Sequence, residues 1–147
     1  MQLKYKQYLK RNAIKNYFPL PNEIFCFGLS TGEIAVYAYL MYCEDRKTFQ
    51  CHPSYRTIGR AVGLSRNTVK KYVVGLEQKQ LIATQPTTIY TKDGRKRNGS
   101  LLYTIRPIEE AKAHYYEQQL QCAEEVVRQK AWKQFEQYSQ EQKRKVV

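Results

Sequence analysis

Apolar residues recur every three or four positions in three segments between residues 34 and 76. Such a spacing puts the apolar side chains on one face of an α-helix, because a helix turns once in 3.6 residues. The pattern therefore predicts three short helices whose apolar faces meet in one core. The apolar positions are, in order, Ile34, Tyr37, Ala38 and Met41; Ile58, Ala61 and Val62; and Val69, Tyr72, Val73 and Leu76.

A fourth helical pattern runs from Ile108 to about Gln140 without a Pro or Gly. A helix of some 30 residues is about 45 Å long, which is more than a domain of this size covers. Two alternatives follow: the helix folds back over its own domain, or it pairs with a second copy of the chain. Its apolar positions are Tyr116, Leu120, Ala123, Val127, Ala131, Phe135 and Tyr138, with Trp132 nearby. Aromatic side chains of this kind are enriched at interfaces.

Capping residues and one tight turn delimit the three short helices. Ser30 and Glu33 have the spacing of a capping box, and Ser54 and Ser65 are N-cap candidates for the next two helices. Gly63 fits the left-handed position that follows a helix. The second and third helices are thus joined by a three-residue turn, Gly63-Leu64-Ser65, which is typical of a helix-turn-helix.

The remaining pattern predicts strands. Residues 23–27 form a short strand candidate, and residues 45–53 are polar and predict a loop. Residues 81–90 are rich in Thr and β-branched residues, and residues 101–105 form the returning strand of a hairpin. Asp93-Gly94 and Asn98-Gly99 between them are strong turn signals.

The order of elements and the spacing from Ser54 to Ile82 resemble bacterial winged helix-turn-helix DNA-binding proteins. The resemblance implies a mainly α fold with a small β-hairpin wing: a three-helix core plus a long C-terminal helix. Residues 17–21 (Tyr-Phe-Pro-Leu-Pro) and 28–30 (Gly-Leu-Ser) further resemble the N-terminal domains of replication initiators of plasmids, phages and other mobile elements. We expect a basic arm at 1–19, a winged-helix domain at 20–108, an amphipathic helix at 109–141 and a disordered tail at 142–147.

The charge distribution points to a polyanionic partner. The chain carries 25 Lys or Arg and 13 Asp or Glu, a formal net charge of +12. Residues 1–106 hold 18 of the basic and 6 of the acidic residues, whereas residues 107–147 hold 7 of each. Such asymmetry favours nucleic acid as the partner of the first three-quarters of the chain. A basic surface kept for solubility is the alternative.

The candidate DNA contacts come from three places. In the third helix, Arg and Asn near a helix N-terminus are the residue types that read guanine and adenine edges in the major groove. The hairpin tip places four cations within six residues, and the resemblance implies that this wing lies along the backbone or enters the minor groove. The start of the second helix offers phosphate contacts. The candidates are Tyr55 and Arg56; Ser65, Arg66, Asn67, Thr68, Lys70 and Lys71; and Lys92, Arg95, Lys96 and Arg97.

Other classes of function find little support in the residues. The chain lacks a glycine-rich phosphate loop and a His-Glu-x-x-His pattern, and no carboxylate pair stands out, so we expect neither an enzyme nor a cofactor. Cys43, Cys51 and His52 are the nearest approach to a zinc site, but their spacing is unusual for one. Cys26 and Cys43 lie in apolar runs and are interpreted as small buried side chains.

We therefore expect a cytoplasmic protein with reduced thiols that binds double-stranded DNA. No secretory signal and no membrane-spanning segment is apparent. The output is either transcription regulation or origin recognition in a mobile element, since both use the same groove contacts. An RNA-binding protein and a winged-helix module for protein interaction remain alternatives.

Overall fold

The computed structural model describes residues 16–146, so most of the predicted basic arm lies outside the described residues. The fold is mainly α with a small β-hairpin, as predicted from the resemblance. A 3-10 helix, Asn22–Phe25, comes first, where the sequence predicted a strand; that prediction was wrong. The other elements are α1 Thr31–Cys43, β1 Gln50–Cys51, α2 Tyr55–Val62, α3 Arg66–Gln78, β2 Ile82–Gln85, β3 Thr88–Tyr90, β4 Lys96–Asn98, β5 Leu102–Ile105 and α4 Ile108–Lys145.

Helices α1, α2 and α3 bury one shared core. On α3 the predicted face is confirmed, because Val69, Val73 and Leu76 are all buried. On α1 the prediction is confirmed only for Tyr37, which is buried, whereas Ile34, Ala38 and Met41 are half-buried. The other buried apolar residues of α1 are Val36 and Leu40, which the sequence did not predict. Since α1 is apolar nearly all the way round, its periodicity does not select a single face.

The strands form two separate antiparallel sheets. One has three strands in the order β1-β5-β2, and the other is the pair β3-β4. The sequence predicted one strand over residues 81–90, but Pro86 lies between β2 and β3, and proline cannot donate to a strand ladder. The predicted loop at 45–53 contains β1, whose Cys51 is paired with Tyr103 of β5. The wing is therefore a hairpin tip, β3-β4, on a base that belongs to the body of the domain.

Helix α4 leaves the domain. Only its first turns contact the core: Ala111 is buried, and the ring of Tyr115 lies 5.9 Å from that of Phe27. From Tyr116 onward its described side chains are exposed, apart from a half-buried Ser139. The alternative in which this helix folds back over its own domain is therefore wrong. The helix also continues to Lys145, where the sequence predicted a disordered tail from residue 142.

The cysteines are free thiols. Cys51 is buried and Cys43 half-buried, but Cys26 is exposed, so the prediction that Cys26 is a buried side chain was wrong. No group of three or more His, Cys, Asp or Glu side chains between residues 16 and 146 could hold a metal ion. None of the helices in that range is long and apolar enough to cross a membrane.

Candidate nucleic-acid interface

A buried carboxylate fixes α3 against α1. The capping box at the start of α1 is present: the Ser30 side chain accepts from the Glu33 amide, and the Glu33 side chain accepts from the Ser30 amide. The same Glu33 carboxylate receives the Lys79 ammonium, with Nζ 2.9 Å from both oxygens. Because Lys79 follows α3, this ion pair ties the end of α3 to the start of α1.

The turn between α2 and α3 depends on two glycines. A Cβ on Gly59 would lie 2.3 Å from the carbonyl oxygen of Leu64, so a side chain there would force the turn open. Gly63 has φ +74°, a conformation that other residues rarely adopt. The Leu64 amide donates to the Gly59 carbonyl at 2.9 Å and closes the turn. These contacts set the angle at which α3 leaves α2.

Pairs of hydroxyl side chains cap the N-termini of α2 and α3. The Ser65 Oγ accepts from the Thr68 amide at 3.3 Å and lies 2.7 Å from Thr68 Oγ1. Ser54 and Thr57 repeat this arrangement at the start of α2, with 3.1 Å and 2.9 Å. Two hydroxyls that share one hydrogen bond keep one O–H free, so each cap retains a donor that can face a phosphate.

The outward face of α3 is polar and cationic. Arg66, Asn67, Lys70 and Lys71 are all exposed, as expected for a helix whose opposite face carries the core. Val74 continues the same face and is 43% exposed. An apolar group among cations suits a thymine methyl in the major groove. Thr68, predicted beside them, is half-buried and engaged in the cap.

The wing tip presents its cations from a short two-stranded ladder. Arg97 is paired with Ile89, and Lys96 with Tyr90. Successive residues of a strand point to opposite faces, so Lys96 and Arg97 project to opposite sides of the wing. Lys92 and Arg95 lie in the connecting turn, and all four predicted cations are exposed. Ile89 and Tyr90 are also mostly exposed, which leaves the tip with little packing of its own.

Two adjoining clefts join these elements into one surface. One, of about 530 Å³, lies beside the start of α3, and the other, of about 430 Å³, lies between α2, α3 and the base of the wing. Tyr55 and Arg66 line both clefts. Arg56, predicted as a phosphate contact, lines the second, together with Asn98, Ser100 and Tyr103, which were not among the predicted DNA contacts. The turn signal at Asn98-Gly99 was recognised, but the packing of these residues against α2 and α3 depends on contacts between distant parts of the chain.

Burial raises the pKa of both tyrosines of the second cleft. Burial, followed by the nearby Glu77 carboxylate, raises the pKa of Tyr55. Burial is also the main cause that raises the pKa of Tyr103, whose side chain is fully buried. The Tyr103 hydroxyl has no hydrogen-bond partner in the described structure. A buried O–H without an acceptor costs stability.

The cations of this surface are not neutralised from within the domain. The described residues form two ion pairs, Lys79–Glu33 and Arg106–Glu110, and neither involves the surface. Arg56, Arg66, Lys70, Lys71 and the four wing cations therefore have no carboxylate within 4.0 Å among the residues of the structure. Their combined field favours an extended anion.

Comparison with known proteins agrees with this geometry. Residues 28–82, which span α1 through the start of β2, match a family described as "Helix-turn-helix domain". The chain carries a helix-turn-helix domain. The matched range includes α2 and α3, which lie in the order of the two helices of the motif; in helix-turn-helix proteins the second of these is the recognition helix, which enters the major groove. The β3-β4 tip lies outside the matched range and is the wing.

Solved structures offer distant likenesses. A protein of Methanosarcina mazei Go1 described as a possible transcriptional regulator aligns over 71% of this chain and 79% of its own, at 14% identity and a TM-score of 0.48. A MarR-family transcriptional regulator of Silicibacter pomeroyi aligns over 65% and 57%, at 16% identity and 0.39. BpsR of Bordetella bronchiseptica, whose DNA binding is regulated by 6-hydroxynicotinic acid, aligns over 69% and 59%, at 20% and 0.36. No curated protein sequence matches the chain significantly.

Proposed function

We propose that this helix-turn-helix protein binds double-stranded DNA in a sequence-specific way and regulates transcription. The observation that carries the proposal is the continuous surface of unpaired cations that α2, α3 and the wing present together. A module for protein interaction built on the same fold needs no such surface. We assign the protein a binding rather than a catalytic role, in the cytoplasm, where DNA and free thiols coexist.

Each element has its own part in the proposed complex. The recognition helix α3 enters the major groove, where Arg66 reads guanine and Asn67 reads adenine. Lys70 and Lys71 extend this contact along the same face. The remaining contacts are with the phosphate backbone of the DNA. They are made by Tyr55 and Arg56 of α2 and by the free O–H of the Ser65 and Thr68 cap. In the wing, Arg95 or Arg97 enters the minor groove and responds to its width, while Lys92 and Lys96 contact phosphates.

The protein is further proposed to act as a homodimer through α4. Its exposed apolar residues beyond Tyr116 have no cover in the described chain, and a twofold dimer would present two recognition helices to two half-sites of DNA. Origin recognition in a mobile element is the second candidate output. The resemblance of residues 17–21 and 28–30 to replication initiators favours it, and Phe18 of that segment lies against Tyr42 of α1, with ring centroids 5.7 Å apart.

Selection of bound duplexes from a random DNA library tests the proposal. We expect enrichment of a motif with two related half-sites, whose place in the source genome, promoter or origin, separates the two outputs. Arg66→Ala or Asn67→Ala should weaken binding to the selected motif by about 1–3 kcal/mol and relax its sequence preference. Arg46→Ala serves as the control, because it removes an exposed arginine from a loop outside α2, α3 and the wing.

Two results would contradict the proposal. Binding without any enriched motif would replace sequence-specific regulation with an architectural role. No binding at low salt would remove the DNA function altogether and favour the interaction module.

A further inference from the structure

The free part of α4 carries an apolar stripe that faces away from its own domain. Ala111 and Tyr115 mark the side that contacts the core. At 100° per residue, Leu120 lies about 180° around the helix from Ala111. Five large side chains of the stripe are between 58% and 67% exposed: Tyr116, Leu120, Val127, Phe135 and Tyr138. A partner helix can therefore lie along this stripe without meeting the domain to which α4 belongs.

The stripe is nearly symmetric about Val127. Ala123 and Ala131 lie four residues before and after it, and Tyr116 and Tyr138 lie eleven residues before and after. All seven stripe positions fall within an arc of roughly 120°. In the Ala and Tyr pairs, the same residue types lie at equal distances before and after Val127. Two antiparallel copies of the helix centred on Val127 would therefore place these like side chains opposite each other.

The apolar stripe is nearly symmetric about Val127, whereas the net charge of α4 changes from negative to positive at that residue. Before Val127 the helix carries five Glu and one Lys, and after it six Lys or Arg and two Glu. The helix dipole accounts for Glu109 and Glu110 in the first turn and for the three cations of the last turn, since its effect fades within one turn. It does not account for the residues on either side of the centre. Those are Glu117, Glu124 and Glu125 before Val127, and Arg128, Lys130 and Lys133 after it.

We propose that two copies of this chain pair through α4 in an antiparallel orientation, with Val127 of one copy against Val127 of the other. This inference rests on the homodimer of the proposed function and adds its orientation and register. The acidic half of each helix then lies beside the basic half of its partner, and the helix dipoles also run in opposite directions. A parallel pair would place the two acidic halves side by side.

The register makes specific contacts. Ala123 faces the partner's Ala131, and these small residues on both sides of the centre let the two backbones approach closely. Tyr116 faces the partner's Tyr138 in the same way. Because an antiparallel pair brings the same edge of both helices together, Glu124 meets the partner's Arg128 on one edge. Trp132 lies about 140° around from Val127 and donates to Glu136 at 2.9 Å, so it stays outside the interface.

Cysteine cross-linking in the full chain distinguishes the two orientations. The exposed Cys26 and Cys122 are first replaced by Ser. In that background Val127→Cys should form a disulfide-linked dimer on mild oxidation. Ala123→Cys and Ala131→Cys should each cross-link poorly alone but efficiently when mixed, because each faces the other. Glu125→Cys is the control: it lies about 160° around from Val127 and should not cross-link.

The outcomes separate this inference from the function on which it rests. Efficient cross-linking of Ala123→Cys or Ala131→Cys alone would establish a parallel pair and overturn the orientation, while leaving a dimer. A dimer in light scattering that none of these positions cross-links would overturn the α4 interface. A monomer at all concentrations would overturn the homodimer as well, whereas DNA binding by that monomer would still support the helix-turn-helix assignment.

A charge at the centre provides a second test. Val127→Asp should raise the dimer dissociation constant at least about 100-fold, because the symmetric contact would bury two like charges together. Val127 is exposed in the single chain, so the domain should keep its thermal unfolding midpoint. A dimer as stable as that of the wild type would overturn the proposed centre.

Discussion

At the scale of single residues, Gly59 decides how α3 is presented. Gly59→Ala should destabilise the fold by about 2 kcal/mol or more, since its Cβ would overlap the Leu64 carbonyl, a backbone atom that cannot move without opening the turn. Urea denaturation measures the change. Arg60→Ala on the exposed side of the same helix is the control, with an expected effect within about 0.5 kcal/mol. Equal stability of the two variants would show that the turn tolerates a side chain.

Glu44 makes stability depend on pH. Burial raises its pKa above the ordinary value of 4.5, and its Oε2 atom has no hydrogen-bond partner in the described structure. A raised pKa means that the folded state holds the proton more tightly than the unfolded chain does. The contribution of Glu44 is therefore most favourable below the unfolded pKa and is lost as the pH rises through the folded pKa.

Glu44→Gln should accordingly increase the free energy of unfolding at pH 7, where the wild type carries an unpaired carboxylate. The gain should shrink as the pH falls through the raised pKa of Glu44 and should vanish below the ordinary value of 4.5, where both side chains are neutral. Denaturation of both proteins at several pH values gives the comparison. A difference that does not change with pH would rule out the titration of this carboxyl as its cause.

The pattern of α3 was enough to predict which of its residues are exposed, because a core on one face leaves the other face to solvent. Residue types alone were not enough to predict which residues line the cleft between α2, α3 and the base of the wing. Tyr103 reaches it only because β5 pairs with β1 and β2 at a given register, and that register is a long-range property. Cys26 lies in an apolar run yet is exposed, since it follows the 3-10 helix rather than lying on a strand.

At the scale of elements, the buried face of a helix was predicted correctly where one face is apolar and the opposite face is polar. Helix α3 has one apolar and one cationic face, so its orientation follows from the sequence. Helix α1 is apolar nearly all round, and its buried face is selected by the Glu33–Lys79 ion pair and the packing on α3, neither of which has a local signal. The hairpin was predicted as such, but its division into base and tip at Pro86 was not.

The wing should add affinity without sequence preference. Lys96→Ala should weaken binding by a similar factor on all duplexes and make the slope of log affinity against log salt shallower by about one, as expected for one lost phosphate contact. Salt titrations of the wild type and the variant on a selected and a random duplex provide the measurement. Loss confined to the selected duplex would instead give Lys96 a role in base recognition.

At the scale of the whole molecule, affinity should follow from charge and from the dimer. If each subunit neutralises five to eight phosphates, log affinity should fall with log salt at a slope of about −5 to −7 per subunit. Val127→Asp should weaken binding to a duplex with two half-sites and leave binding to a single half-site unchanged, since the recognition surface is intact. Equal losses on both duplexes would place the defect in the domain rather than in the pairing.

The exposure of the wing tip makes its cleavage by a protease a measure of how much of the protein is bound to DNA. The chain connects the tip to the domain through residues 86–87 and 99–101, and the Lys and Arg side chains of the tip are exposed. Trypsin cleaves after these residue types, and exposed loop tips are preferred sites of nicking. Bound DNA would cover the same side chains, so the rate at which trypsin cuts between residues 92 and 97 would report the fraction of protein on DNA, with no label attached.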